Sequence, residues 1–177
     1  TGLPKIGPPN NAFTMDHPFG VAPGTGNDNL AYWMFGARTS LVLALIATMV
    51  STVIGVGLGL IAGYAGGLVD AIISFFTDIF FTFPFLLAAL AIAPIIADRF
   101  GTNIDLYEDI TFYSLIVILV IFGWMGMARL IRGEVLSLRE REFVKAARVL
   151  GVPTHRILLR EILPNLIAPI VVSISLG

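Results

Sequence analysis

The sequence predicts an all-α protein, a polytopic transmembrane helical bundle. Three observations predict it. Of 177 residues, 56% are hydrophobic and only 13% charged, the mean hydropathy is +0.89, and the charges gather in the connections between long apolar runs. A chain this apolar lacks the polar surface of an ordinary water-soluble domain, so lipid is expected to be its main solvent.

Thr39 to Ala62 reads as the first span, 24 residues inside an uncharged stretch that reaches from Arg38 to Asp70. That is enough helix for a hydrocarbon core of about 30 Å. The second span runs from about Asp70 to Ala97, carries Asp78, and has Pro84 near its middle, where a kink is expected. The third runs from about Ile110 to Met127. A fourth starts near Ile162 and reaches Gly177 after 16 residues, roughly 24 Å at 1.5 Å per residue. Because that is short for a crossing, the span is expected to continue beyond Gly177, and the 38–177 transmembrane domain is read as incomplete.

Charge orients the spans. Eight of the eleven Lys and Arg residues lie between Arg129 and Arg160, which places the loop 128–161 in the cytoplasm by the positive-inside rule. Alternation then puts the acidic connection with Asp98, Asp105, Glu108 and Asp109 outside, the turn 63–69 inside, and residues 1–37 outside as an extracytoplasmic segment. An outside start without the apolar core of a signal peptide predicts an earlier span.

Several chemistries are excluded. Without cysteine there is no disulfide, Cys-ligated zinc site or iron-sulfur cluster. His17 and His155 fall on opposite sides of the predicted membrane and cannot share a metal. No GxxxxGK[ST], HExxH or GxSxG is present, so the chain itself is not expected to be an enzyme or to hold a cofactor. Residues 57–62, Gly-Leu-Gly-Leu-Ile-Ala, match a dinucleotide fingerprint in letters only, since that motif needs a strand and tight turn, and here the glycines interrupt a membrane-length run. The lipid bilayer is the expected environment, and nucleic acid is not an expected partner.

Gly55, Gly59, Gly63 and Gly67 recur every fourth residue and predict one helical stripe that lets another helix approach closely. Packing within the chain is the favoured reading, and a partner-subunit or sliding surface the alternative. Asp78 at membrane depth costs on the order of 3 kcal/mol unless it faces a protein or aqueous interior, so it is expected to have a partner, for which Arg129 is the candidate. A proton-relay role for Asp78 is the rival to a structural one.

The most specific stretch is Ser137 to Gly151. As a helix, it sets Phe143, Ala146, Ala147 and Leu150 on one apolar stripe, with Arg141, Glu142, Lys145 and Arg148 around it. Gly151 supplies a left-handed cap, Pro153 blocks continuation, and Thr154 is the expected N-cap of the next helix, which leads to Leu163-Pro164. Such a segment is suited either to docking in a protein groove or to lying in the headgroup layer.

Ala146-Ala147, Gly151 and Leu163-Pro164 at this spacing resemble the cytoplasmic loop of bacterial ABC-importer permeases. The runs Arg139 to Gly151 and Arg160 to Asn165, with His17-Pro18-Phe19-Gly20 and Gly36 to Leu41, are similar to the dipeptide/oligopeptide/nickel subfamily. The family's signature glutamate would fall at 145, where this chain has Lys145, with Glu142 one turn earlier. The resemblance implies a coupling loop over 133–161 in which Arg141, Glu142, Lys145, Ala146, Ala147, Leu150 and Gly151 meet an ATPase subunit. Asp78, Pro84, Arg129 and Pro164 become structural or path candidates. It further implies a second permease subunit, two nucleotide-binding ATPase subunits carrying ATP and magnesium, an extracytoplasmic solute-binding protein and a bacterial inner-membrane location. Peptides are the subfamily's default cargo, nickel and other small solutes the alternatives. On residues alone, an ion-gradient-driven transporter using Asp78 and a membrane-embedded scaffold remain rival readings.

Overall fold

The computed structural model describes residue 15 and residues 17–22, 27–100 and 104–176. The Pro- and Gly-rich opening of the chain and part of the 98–109 connection lie outside these residues. The fold is all-α, and the chain divides into two compact units, 1–45 and 46–177.

In the first unit a short turn leads into helix α1 (Asn29–Ala65). The Leu30 amide donates to Asp28 Oδ1 at 2.8 Å, so Asp28 caps the helix. The other carboxylate oxygen lies 3.0 Å from His17 Nδ1, and Asn29 donates its side-chain amide to the Phe19 carbonyl at 2.9 Å. Hydrogen bonding to His17 holds the Asp28 carboxyl below its ordinary pKa. With this cap in place the helix begins ten residues before the expected start at Thr39.

In the second unit α1 ends at Ala65 and the chain turns on two successive left-handed residues, Gly66 (φ 66°) and Gly67 (φ 54°). Only glycine takes up this backbone without a steric penalty. Helix α2 (Gly67–Thr82) follows directly, and it stops where Phe83 is forced extended (φ −78°, ψ 123°) by the proline after it. Helix α3 (Phe85–Phe100) then leaves at 66° to α2. The kink expected at Pro84 is therefore a complete break.

Helix α4 (Ile104–Leu138) extends eleven residues past the expected end of the third span at Met127. Its continuation is packed: Ala128, Ile131 and Val135 are buried at i, i+3 and i+7, one face of a helix. Arg129 and Arg132, read as part of a loop, are thus carried on this helix. Helix α5 (Glu142–Val149) is shorter than the stretch Arg139 to Gly151. Helix α6 (Thr154–Arg156) runs through a π-helical stretch (Ile157–Ile162) into α7 (Leu163–Leu176). Pro164 lacks the amide that would bond to the Arg160 carbonyl, and its ring crowds that oxygen, so the wider turn falls where an α-turn is blocked. Thr154 is the first residue of α6 and makes no side-chain cap; Pro153 holds the N-cap position.

Among the described residues three helices are long and apolar enough to cross a membrane, or four if the bent α2–α3 pair is one span. A core of Leu60, Met127, Ile131, Val135, Val144, Ile157, Ile162 and Leu166 joins α1, α4, α5, the π-turn and α7 at one end of the unit. Large apolar side chains on the outer faces of the spans remain exposed, as suits helices solvated by lipid or covered by neighbours.

Candidate functional site

α5 is fixed to the bundle by Val144, which is fully buried, with Ala147 packed against the same core. The stripe expected from the sequence divides in two. Ala147 turns inward with Val144, whereas Phe143, Ala146 and Leu150 face out, with Leu150 81% exposed. The helix ends as expected on Gly151 (φ 71°). The Val152 amide reaches the Ala147 carbonyl and the Gly151 amide the Arg148 carbonyl, each at 3.0 Å, a Schellman pair that satisfies the last carbonyls. Lys145 Nζ lies 3.2 Å from Glu140 Oε2 and holds the Glu140 carboxyl below the usual carboxylate range. The contact is complete above the ordinary Glu pKa and is lost as pH falls through the lowered one. Arg141 and Glu142, exposed, form the N-cap and first turn.

Three of the four stripe glycines sit in the seam between α1 and α4. A Cβ on Gly55 would lie 2.7 Å from the Trp124 carbonyl, one on Gly59 2.7 Å from the Ala128 carbonyl, and one on Gly63 2.7 Å from Val135 Cβ. Gly67 is not part of this seam. The turn at Gly66 ends α1 before it, and a Cβ on Gly67 would meet nothing within 4 Å. Contacts advance in the same order along both helices, so α1 and α4 run parallel here.

Between α2 and α4, Ala62, Ile73, Ser74, Thr77, Asp78, Ala128, Arg129 and Arg132 line a cavity of about 280 Å³. Arg129 donates to Asp78 at 2.6 Å, and its guanidinium lies 4.3 Å from the centre of the Phe81 ring. Arg132 grips Asp70 through two N–H groups, Nε to Oδ1 and Nη2 to Oδ2, the second at 2.7 Å. The Ser74 hydroxyl also donates to Asp70, at 3.2 Å. The Asp70–Arg132 pair was not foreseen. Arg129 and Arg132 at i, i+3, facing Asp70 and Asp78 at i, i+8 on an antiparallel helix, give the sequence signal that could have found it.

Beside the Pro84 break, Phe80, Phe83 and Phe85 surround Phe122 with ring centroids 6.3, 6.1 and 5.8 Å away. They line an apolar cleft of about 440 Å³ that is floored by Gly123 and Gly126. Edge and offset ring contacts of this kind hold a geometry as well as burying area. Pro164 lies apart from both cavities, in α7.

Spans with this much apolar surface bare are suited to lipid, so the chain is a multi-pass membrane protein. Residues 55–176 match the family described as binding-protein-dependent transport system inner membrane component, and the chain belongs to it. The oligopeptide transport system permease protein OppC of Salmonella typhimurium is 41% identical over 160 residues, covering 90% of this chain and 49% of that protein. OppC of Haemophilus influenzae is 35% identical over 160 residues, 90% and 47% of the two chains. The dipeptide transport system permease protein DppC of Bacillus subtilis is 34% identical over 163 residues, 92% and 47%. The chain spans about half the length of these curated relatives.

Proposed function

We propose that this chain is part of a permease subunit of an ATP-binding-cassette importer in a bacterial inner membrane, carrying di- or oligopeptides. One observation supports this most directly. The bundle seats Val144 in its core and leaves Phe143, Ala146 and Leu150 bare on the other side of α5, an apolar face fixed in position with a small residue at its centre. In this reading a groove on an ATPase subunit covers that face. Two such ATPase subunits carry ATP and magnesium, a second permease subunit completes the path, and an extracytoplasmic binding protein delivers cargo. The names of the relatives support peptides as that cargo. ATP binding in the partner subunits closes them together and pulls on α5, which changes which of two bundle conformations is favoured, and the spans give alternating access. Residues 128–161 are cytoplasmic in this arrangement and residues 1–37 outside. Pairing with Arg129 favours a structural role for Asp78 over an ion-coupling one.

Ala146 is the position to test, since a bulky charge at the inward-facing Ala147 would disturb the core. Ala146→Arg is expected to release the ATPase subunits on purification, or to abolish ATP-driven uptake, while the permease remains in the membrane. Full recovery of the complex with normal uptake would refute the docking assignment.

A further inference from the structure

Three arginines from the α4–α5 region converge on the single-residue turn between α1 and α2. Arg139 Nη1 donates to the Gly63 carbonyl at 3.0 Å, an oxygen in the last turn of α1 where helix carbonyls lack partners and the dipole is negative. Its guanidinium also lies across Gly66, where a Cβ would meet Nη1 at 3.1 Å. Arg148, on α5, stacks 4.6 Å from the centre of the Tyr64 ring and donates from Nε to the Tyr64 hydroxyl at 3.2 Å. Arg132 holds Asp70 in the first turn of α2. None of the three belongs to the Phe143, Ala146 and Leu150 face.

We propose that Arg148 with Tyr64, and Arg139 with Gly63, are positioning contacts that tie α5 to the α1–α2 turn. A displacement of α5 then reaches the last turn of α1 and, across the one-residue link at Gly66, α2, in addition to the route through α4. The inference rests on α5 being the ATPase-docking helix. Val144 already anchors α5 by burial, and an exposed arginine contact adds little to folding. What the arginines add is direction. α2 carries Asp78 and ends at the Pro84 break beside the aromatic cleft, so a pull on the turn acts on the element that borders both cavities.

The test uses the intact permease assembled with its ATPase subunits in proteoliposomes, reading ATP hydrolysis and uptake together. Arg148→Ala and Tyr64→Ala are expected to retain the ATPase subunits and hydrolysis, with uptake per ATP falling about three- to tenfold. Tyr64→Phe keeps the ring under the guanidinium and is expected to recover most of it. The double variant Arg148→Ala with Tyr64→Ala is expected to be no worse than either single one, because the two share one interaction. Unchanged uptake per ATP, additive losses, or release of the ATPase subunits by Arg148→Ala would each overturn the proposal. The contact is also read apart from transport by cross-linking: these 177 residues hold no cysteine, and any cysteine elsewhere in the intact permease is replaced first. A short thiol cross-linker is expected to join Tyr64→Cys to Arg148→Cys in native membranes, and failure to join them overturns the tie. A joined pair in a protein that recruits no ATPase instead overturns the docking function while leaving the contact standing.

Discussion

At Gly59 a hydrogen atom sets the spacing of two helices. Any Cβ there would press on the Ala128 carbonyl at 2.7 Å and on Ile131 Cβ at 2.8 Å, so a larger residue has to push α1 away from α4. Gly57, two residues earlier, faces open space and provides the control. Gly59→Leu is expected to cost about 1–3 kcal/mol of stability through overpacking, and Gly57→Leu almost none, as measured by thermal unfolding in detergent. Equal effects would place the seam elsewhere. The charged residues show how far sequence alone reaches. Asp78 was legible because a carboxylate inside an apolar run demands a counter-ion, and Arg129 was the basic residue at the right depth. Asp70 escaped because it marked the edge of an uncharged stretch and so read as a boundary, although the structure pairs it with Arg132 more extensively than Asp78 is paired.

The elements were legible where local chemistry decides and obscure where packing decides. The end of α5 could be read from Gly151 and Pro153, since a left-handed residue followed by proline stops a helix in almost any surroundings. Its inner face could not. Phe143, Ala146 and Leu150 form one apolar line and Val144 with Ala147 another, and in a helix of eight residues only the neighbouring α4 and π-turn choose between them. The end of α4 was obscured by charge, because arginines that signal a cytoplasmic position say nothing about whether the helix has stopped. The cap itself is testable. Gly151→Ala, at φ 71°, is expected to cost about 1 kcal/mol and to speed amide exchange across residues 142–152 while leaving the α1–α4 seam protected. Uniform loss of protection would mean that α5 and the spans unfold as one unit.

For the whole molecule, the fold class followed from composition and from the lengths of the apolar runs, because a membrane imposes a length on whatever crosses it. The break at Pro84 and the early start of α1 did not follow, since one depends on how far a proline bends its neighbours and the other on the contacts Asp28 makes. Sidedness is open to direct measurement with single introduced cysteines. In spheroplasts, an impermeant maleimide is expected to label Phe19→Cys, and to label His155→Cys, which lies off the docking face, only after lysis; both positions are exposed. The opposite pattern would invert the proposed topology.

The one-residue link at Gly66 also fixes the length of the chain there. Its amide bonds to the Ala62 carbonyl at 3.1 Å, and its carbonyl receives the Asp70 amide at 3.2 Å, so both ends of the link are already engaged by the helices it joins. An added residue accommodated by screwing α2 forward would turn it by about 100°. Asp70 and Asp78 would then swing together away from Arg132 and Arg129. Residues 62–70 therefore form a stretch whose length is as constrained as its composition. A single-codon insertion there would rewire the polar cavity without replacing any of the residues that line it.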